Sequence, residues 1–279
     1  MLLAKLLPKI MLNVMCNIGC MILYLYLMNN ITIHLQNIRS LGVSTVSPSG
    51  RLKLQYLFNK IPQSHCILVL TEVNLLDVDL KLLKIKIPSN FRIVNCNFNG
   101  RGFGTISFAT NDLQKIHTPL IASTAVKGRV SHFKLKGECD TYFTLYPCYI
   151  SHNNADAMQQ LAALKEHIDN NFDHSSHLVV LGDFNVDGEV HPHHAQREIV
   201  LNQICSDVGA VDLAIHYNDT RDTWHGPGAR GLQKSSRLDR VYTNVPDFFS
   251  SFVVKGCPYS DHLGITLSNV KKKARKSHS

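Results

Sequence analysis

Glu72, Asp183, Asp239 and Asp261 each end or flank a stretch whose apolar pattern reads as a β-strand. If these four carboxylates converge, their mutual repulsion must be relieved by protonation or by a cation. Oxygen ligands of this kind suit Mg²⁺ or Mn²⁺ rather than zinc. His262, beside Asp261 and open to orientation by Asp239, is then the natural proton-transfer or phosphate-contacting group. The stretch that organises the rest is LVVLGDFNVDG, Leu178–Gly188. Its short Val- and Leu-rich run, stopped by glycine, reads as a buried strand. Side chains alternate along a strand, so Asp183 and Asn185 are expected on one side and Phe184 in the core. A carboxylate and an amide side by side suit a hydrated cation and a phosphate oxygen. Gly, Asp and Asn are also ordinary turn residues, so this stretch alone leaves both readings open.

The surrounding pattern supplies the elements that must position these groups. Ile31–Leu35 alternates as a strand and Ser44–Gly50 reads as a loop. Leu54, Leu57, Phe58 and Ile61 recur at helical spacing up to Pro62. Cys66–Leu70 is a second buried strand, delivering Glu72. Arg101–Thr110 is a glycine-marked strand without the basic residue and following helix of a phosphate loop. Tyr142–Ile150 is a further strand, in which Pro147 points to an edge or a bulge. Met158, Leu161, Leu164 and Ile168 form one helix face, with cap candidates in Ser151–Asn154. A helix from about Ala195 to Val208 is closed by Gly209. Arg237–Tyr242 is another strand, and Tyr259–His262 opens the last. Strands and helices interleave without repeat or internal linker, which reads as one α/β domain over residues 31–270.

A chain of 279 residues with 44% apolar and 18% charged residues has the composition of an ordinary globular protein. The net charge of +8 comes mostly from the ends: residues 31–270 hold 22 basic and 21 acidic residues, and the remaining basic residues lie outside them. The basic tail 271–279, KKKARKSHS, reads as a nuclear-import signal, a nonspecific phosphate contact or a solvated end. Residues 1–30 are an apolar extension broken by Asn13, Asn17 and Gly19, read as a signal, an anchor or an upstream extension. Eight cysteines without a C-x-x-C pair favour a reducing compartment. The expected location is therefore nuclear or cytoplasmic, or secreted or membrane-anchored if 1–30 is a genuine signal or anchor.

QNIRSL with Asn37, LTEV with Glu72, LGDFN with Asp183 and Asn185, SRLDRVYTN with Asp239 and YSDHLGI with Asp261 and His262 occur in this order. This series resembles the motifs of the endonuclease/exonuclease/phosphatase superfamily, and within it most of all the apurinic-type endonuclease domains of non-LTR retrotransposons. The resemblance spans about residues 31–268. It implies a four-layer α/β sandwich, two packed mixed β-sheets flanked by helices, with the site at one end of the sheets. It also implies phosphodiester hydrolysis dependent on Mg²⁺ or Mn²⁺, with one cation or two. By the resemblance Glu72 holds the metal, Asn37 assists metal or phosphate binding, and Asp261 supports the metal or the histidine. Asp183 orients or activates the attacking water and Asn185 hydrogen-bonds the scissile phosphate. His262 contacts that phosphate or shuttles a proton, with Asp239 fixing its ring. The family's phosphate-contacting tyrosine falls on Tyr149, with Tyr146 as the other candidate; serine and histidine replace the proline and asparagine usual after it. Arg39 stands where abasic-site repair enzymes carry aspartate, which points away from a dedicated repair enzyme. Trp224 stands where the family often has an aromatic, for stacking on DNA or for core packing.

The leading expectation is an endonuclease that nicks DNA, with no obligate protein partner. Membrane contact through 1–30 belongs to the alternative, a lipid or inositol phosphate phosphodiesterase on the same fold. A catalytically inactive binding domain is the third reading. His191, His193 and His194 read as a polar loop rather than metal ligands, and Asp187 and Asp212 as turn or surface residues.

Overall fold

Alternation along the strands sorts side chains into three apolar layers, and those layers set the architecture. A computed structural model of the chain describes residues 31–41, 48–75, 83–84, 86–98, 103–117, 127–136, 142–187, 194–227 and 233–269. The extension 1–30, the tail 271–279, His191 and His193 lie outside the described residues, and the readings made of them go no further.

The order begins with strand β1 (Thr32–Asn37), helix α1 (Pro48–Lys60), β2 (Cys66–Thr71), β3 (Phe91–Phe98), β4 (Gly104–Thr110), β5 (Gln114–His117) and β6 (Phe133–Lys136). It continues with β7 (Tyr142–Tyr149), α2 (Asn154–Asn171), β8 (His177–Asp183), α3 (Ala195–Asp207), β9 (Val211–Asp212) and the single-turn α4 (Leu213–His216). The hairpin β10 (Trp224–Pro227) and β11 (Gln233–Ser236) follows, then β12 (Asp239–Thr243), β13 (Ser251–Lys255) and β14 (Gly264–Ser268). One six-stranded sheet has the order β13-β14-β1-β2-β4-β3 and the other β5-β6-β7-β8-β12-β9. Each is mixed, with a single parallel pair: β1 with β2, and β7 with β8. A helix makes each parallel crossover, α1 in the first sheet and α2 in the second, as a parallel pair requires.

Ile33, Leu35, Ile67 and Val69 of the first sheet pack against Leu145, Val179, Leu181 and Val241 of the second. The intervening residues Cys66, Leu68 and Leu70 turn outward onto Leu54, Leu57 and Phe58 of α1. Leu178 and Val180 turn outward onto Leu161 and Leu164 of α2 and Leu201 of α3. Strands buried on both faces read as continuous apolar runs, and CILVL and LVVL are such runs. The result is the four-layer α/β sandwich: helix, sheet, sheet, helices. Among the described residues, no helix is long and apolar enough to cross a membrane.

Several local expectations are corrected. Pro147 marks neither an edge nor a bulge. Strand β7 lies inside its sheet, and Phe133↔Leu145 and Val130↔Cys148 keep one register on either side of the proline. Ser131 N still donates to Pro147 O, so only the hydrogen bond that proline cannot donate is missing. Pro48, Ser49 and Gly50 belong to the first turn of α1 rather than to the preceding loop, since proline suits a first helical position. Asp187 and Asp212 are not surface residues: they are 6% and 7% exposed and both are bonded to Arg237. Strands β3, β5, β6, β9, β10, β11 and β13 were not legible in the pattern. In β3, buried Asn95 and Asn97 interrupt the apolar alternation because they bond to the segment around Ser131.

Candidate active site

Topology alone brings the chemical groups to one end. Asn37 closes β1, Glu72 follows β2, Tyr149 closes β7 and Asp183 closes β8, so parallel strands deliver all four at their carboxyl ends. Strand β12 runs antiparallel to β8 and starts where β8 stops, which sets Asp239 directly opposite Asp183. Strand β14 is antiparallel to β1, so His262, two residues ahead of it, reaches the same end. The backbone there is unusual. Of the seven non-glycine residues with positive φ among the described residues, Arg39, Ser40, Glu72, Asn74 and Asn185 all follow these strand ends. Non-glycine residues are held in that conformation only where the surroundings impose it. Gly182 takes φ +151° because a side chain there would strike the carbonyl of Cys148 on the neighbouring strand.

One ligand atom from each of Glu72, Asp183 and His262 lies within 4.8 Å of the other two. Asp183 is buried, and its Oδ2 accepts from Asn37 Nδ2 at 2.8 Å while Oδ1 accepts from Asn185 N at 2.9 Å. His262 Nδ1 meets Asp239 Oδ2 at 2.7 Å, both groups being buried. With Nδ1 committed, Nε2 is the ring nitrogen left for chemistry. Asp239 Oδ1 is buried with no hydrogen-bond partner. Burial pushes the Asp183 carboxyl well above the usual carboxylate range, and the Asp239 charge adds to this. Burial opposes the charge on His262, but Asp239, by its charge and its hydrogen bond, overcomes it and raises the imidazole to about 9.

Three carboxylates therefore face one imidazolium, and one buried carboxylate oxygen has no partner. That surplus of negative charge is what a divalent cation relieves, and two carboxylates within bridging distance fit Mg²⁺ or Mn²⁺.

The other sequence candidates take other places. Asn37 turns its amide nitrogen to Asp183, and its Oδ1 accepts from Arg39 N at 2.9 Å. Asp261 stands apart from the acidic group: its Oδ2 receives Arg39 Nη1 at 2.7 Å and Trp224 Nε1 at 3.1 Å. Trp224 is half-buried, its backbone bridged to His262, so the β10–β11 hairpin is stitched to the SDH segment. The Arg39 side chain is 64% exposed at this rim. Asn185 is not in the strand that carries Asp183. It lies past the strand end with φ 49°, and its Nδ2 donates to Ile150 O at 2.8 Å. Phe184 is in the core as expected. Tyr149 is 7% exposed beside Glu72 and Asp183, whereas Tyr146 is fully buried against α2 and stacks on His132. His194 precedes α3 and its Nδ1 accepts from Asp187 N.

Three cations that hold the site have no signal in the sequence. Lys53 on α1 donates to the carbonyls of Ile38 and Ser40 at 3.0 and 2.8 Å, fixing the turn after β1. Arg197 on α3 bonds Asn154 Oδ1 and the carbonyls of Ser151, His152 and Asn185. Arg240 donates to Val186 O and pairs with Glu198. Each reads as an ordinary charge until packing brings its partners within reach.

The fold is shared with solved structures, among them an endonuclease/exonuclease/phosphatase family protein from Bacteroides thetaiotaomicron, at a TM-score of 0.55 and 15% identity over 86% of this chain and 97% of that one. Among solved structures, the endonuclease domain of TRAS1, a telomere-specific non-LTR retrotransposon, aligns with a TM-score of 0.59 and 15% identity over 87% of this chain and 100% of that one. An AP endonuclease from Archaeoglobus fulgidus gives 0.62 and 16% over 85% and 98% of the two chains. D. rerio TDP2, complexed with single-strand DNA product, gives 0.60 and 15% over 86% and 98%. No family model and no curated protein matches the sequence.

Proposed function

We infer that this chain is a metal-dependent phosphodiester hydrolase that nicks DNA, an endonuclease of the retroelement type. The observation that carries this is the meeting of Glu72, Asp183 and His262 within 4.8 Å, backed by the Asp239–His262 hydrogen bond. The likeness to a retrotransposon endonuclease, an AP endonuclease and TDP2 supports the same reading. Glu72 and Asp183 would hold Mg²⁺ or Mn²⁺, with Asn37 fixing Asp183, while Asp261 serves beside them as the anchor of Arg39 and Trp224. When bound, the cation neutralises charge growing on the phosphoryl oxygens and stabilises the leaving alkoxide.

The chain's own groups do the remaining work. Asp183, fixed by Asn37 and Asn185, orients a water toward phosphorus and accepts its proton. His262, protonated at neutral pH through Asp239, offers Nε2–H to a phosphate oxygen. Asn185 keeps a second amide N–H for the same phosphate. Burial holds Tyr149 in the phenol form, able to donate. Arg39 and Trp224 at the rim would meet the flanking strand.

Purified protein with Mg²⁺ or Mn²⁺ is expected to nick supercoiled plasmid, and EDTA to stop it. Asp183→Ala and His262→Ala should each lower the rate by about 10²–10⁴-fold. Nicking that survives both substitutions undiminished would refute the assignment.

A further inference from the structure

Arg129 lies on a segment stitched between the two sheets. From β3, Asn97 Oδ1 accepts from Gly128 N at 2.8 Å and Asn97 Nδ2 donates to Val130 O at 2.6 Å. Asn95 Nδ2 donates to Ser131 Oγ at 2.6 Å. From β7, Tyr149 N donates to Arg129 O at 2.6 Å. Held from both sides, the backbone gives the guanidinium a defined place. Its carbon is 4.5 Å from the centroid of the Phe103 ring and 4.8 Å from that of Tyr149. The two rings are 6.2 Å apart and inclined by 33°. One cation thus covers two aromatic rings, an arrangement their quadrupoles favour. The Arg129 charge also acts on the Tyr149 phenol, opposing the rise that burial gives it.

Phe103 is the member of this group without an explanation in the fold. It is 39% exposed, directly ahead of β4, and most large apolar side chains of the described sheets are buried. A single exposed phenylalanine is unremarkable in itself. This one is pinned by a cation and lies beside Tyr149, which feels the charges of Glu72 and Asp183. A rigid aromatic face beside a phosphate-handling site, with a guanidinium supporting it, matches the physics of a base-stacking platform.

We propose that Phe103, pinned by Arg129, stacks on one nucleobase of the cleaved strand next to the scissile phosphate. This rests on the DNA-nicking reading above and deepens it. Stacking uses the face of the base, so the platform tolerates any sequence but needs a planar base that can leave the duplex stack. The substrate class is therefore a strand with an unpaired or readily unstacked nucleotide beside the nick.

The test is cleavage of oligonucleotides in which a thymine is replaced, one position at a time, by non-planar 5,6-dihydrothymine. For the wild type, kcat/KM should fall about 10-fold at one position flanking the cut and stay constant elsewhere. Phe103→Leu should lower kcat/KM on the unmodified strand by a similar factor and show no further loss at that position. Phe103→Tyr should restore both activity and sensitivity, and Arg129→Gln should weaken the sensitivity. A wild type indifferent to every replacement overturns the platform, as does a Phe103→Leu variant as sensitive or as active as the wild type. A wild type that cleaves none of the strands overturns the nuclease assignment itself, and the platform with it.

Discussion

At the scale of single residues, the site is a problem of charge. Asp183 and Asp239 are buried and Glu72 half-buried where they converge, and His262 is the cation that bonds directly to one of them. The protein must carry that repulsion whenever no cation is bound, so cation binding and stability are linked. Mg²⁺ or Mn²⁺ at about a hundred times its Kd should add about 2.7 kcal/mol and raise the melting temperature by about 5–10 °C. Glu72→Gln should remove most of that rise. Scanning calorimetry with and without the cation reads this independently of catalysis. An equal rise in the variant would place the cation elsewhere.

The arginines belong to the scale of elements, because they fasten one element to the next. Arg197 reaches from α3 to the segment ahead of α2 and to the turn carrying Asn185, through bonds to Asn154, Ser151, His152 and Asn185. The planar fork bonds several carbonyls at once, which an ammonium cannot reproduce. Arg197→Ala leaves buried carbonyls unpaired and should cost about 2–4 kcal/mol. Arg197→Lys should recover little of it. Denaturant unfolding measures the loss, and nicking should fall further than the unfolded fraction explains because Asn185 loses its support. A variant as stable as the wild type would show that the turn holds without this anchor.

Across the whole molecule, one half-buried titratable group away from the acidic end sets a pH limit. His34 on β1 meets Thr266 Oγ1 at 2.8 Å, and burial lowers its imidazole from 6.5 to about 4. The unfolded chain therefore takes up a proton as pH falls below about 6.5, while the folded protein does not until about pH 4. Stability from this group is complete above pH 6.5 and drains away between these values, with a slope approaching about 1.4 kcal/mol per pH unit. His34→Gln should flatten the curve of unfolding free energy against pH over that window. An unchanged slope would assign the acid sensitivity to other groups.

The continuous runs CILVL and LVVL, the helical spacing of Leu54, Leu57, Phe58 and Ile61, and the ordered series of acidic and amide motifs are properties of the chain read linearly. They determine that these segments are buried elements and which residue types end them, because burial and periodicity are local statements. The seven unrecognised strands are short, polar or paired at an edge, and their stability comes from neighbours distant in sequence. That Asp239 faces Asp183, that Nδ1 of His262 turns to Asp239, and that Asp261 binds Arg39 and Trp224 follow from strand register between segments up to about two hundred residues apart. Arg129, Arg197 and Phe103 carry no linear signal at all. A charge or an aromatic acquires its role only when packing fixes what lies within a few ångströms of it, and that is decided by the tertiary structure alone.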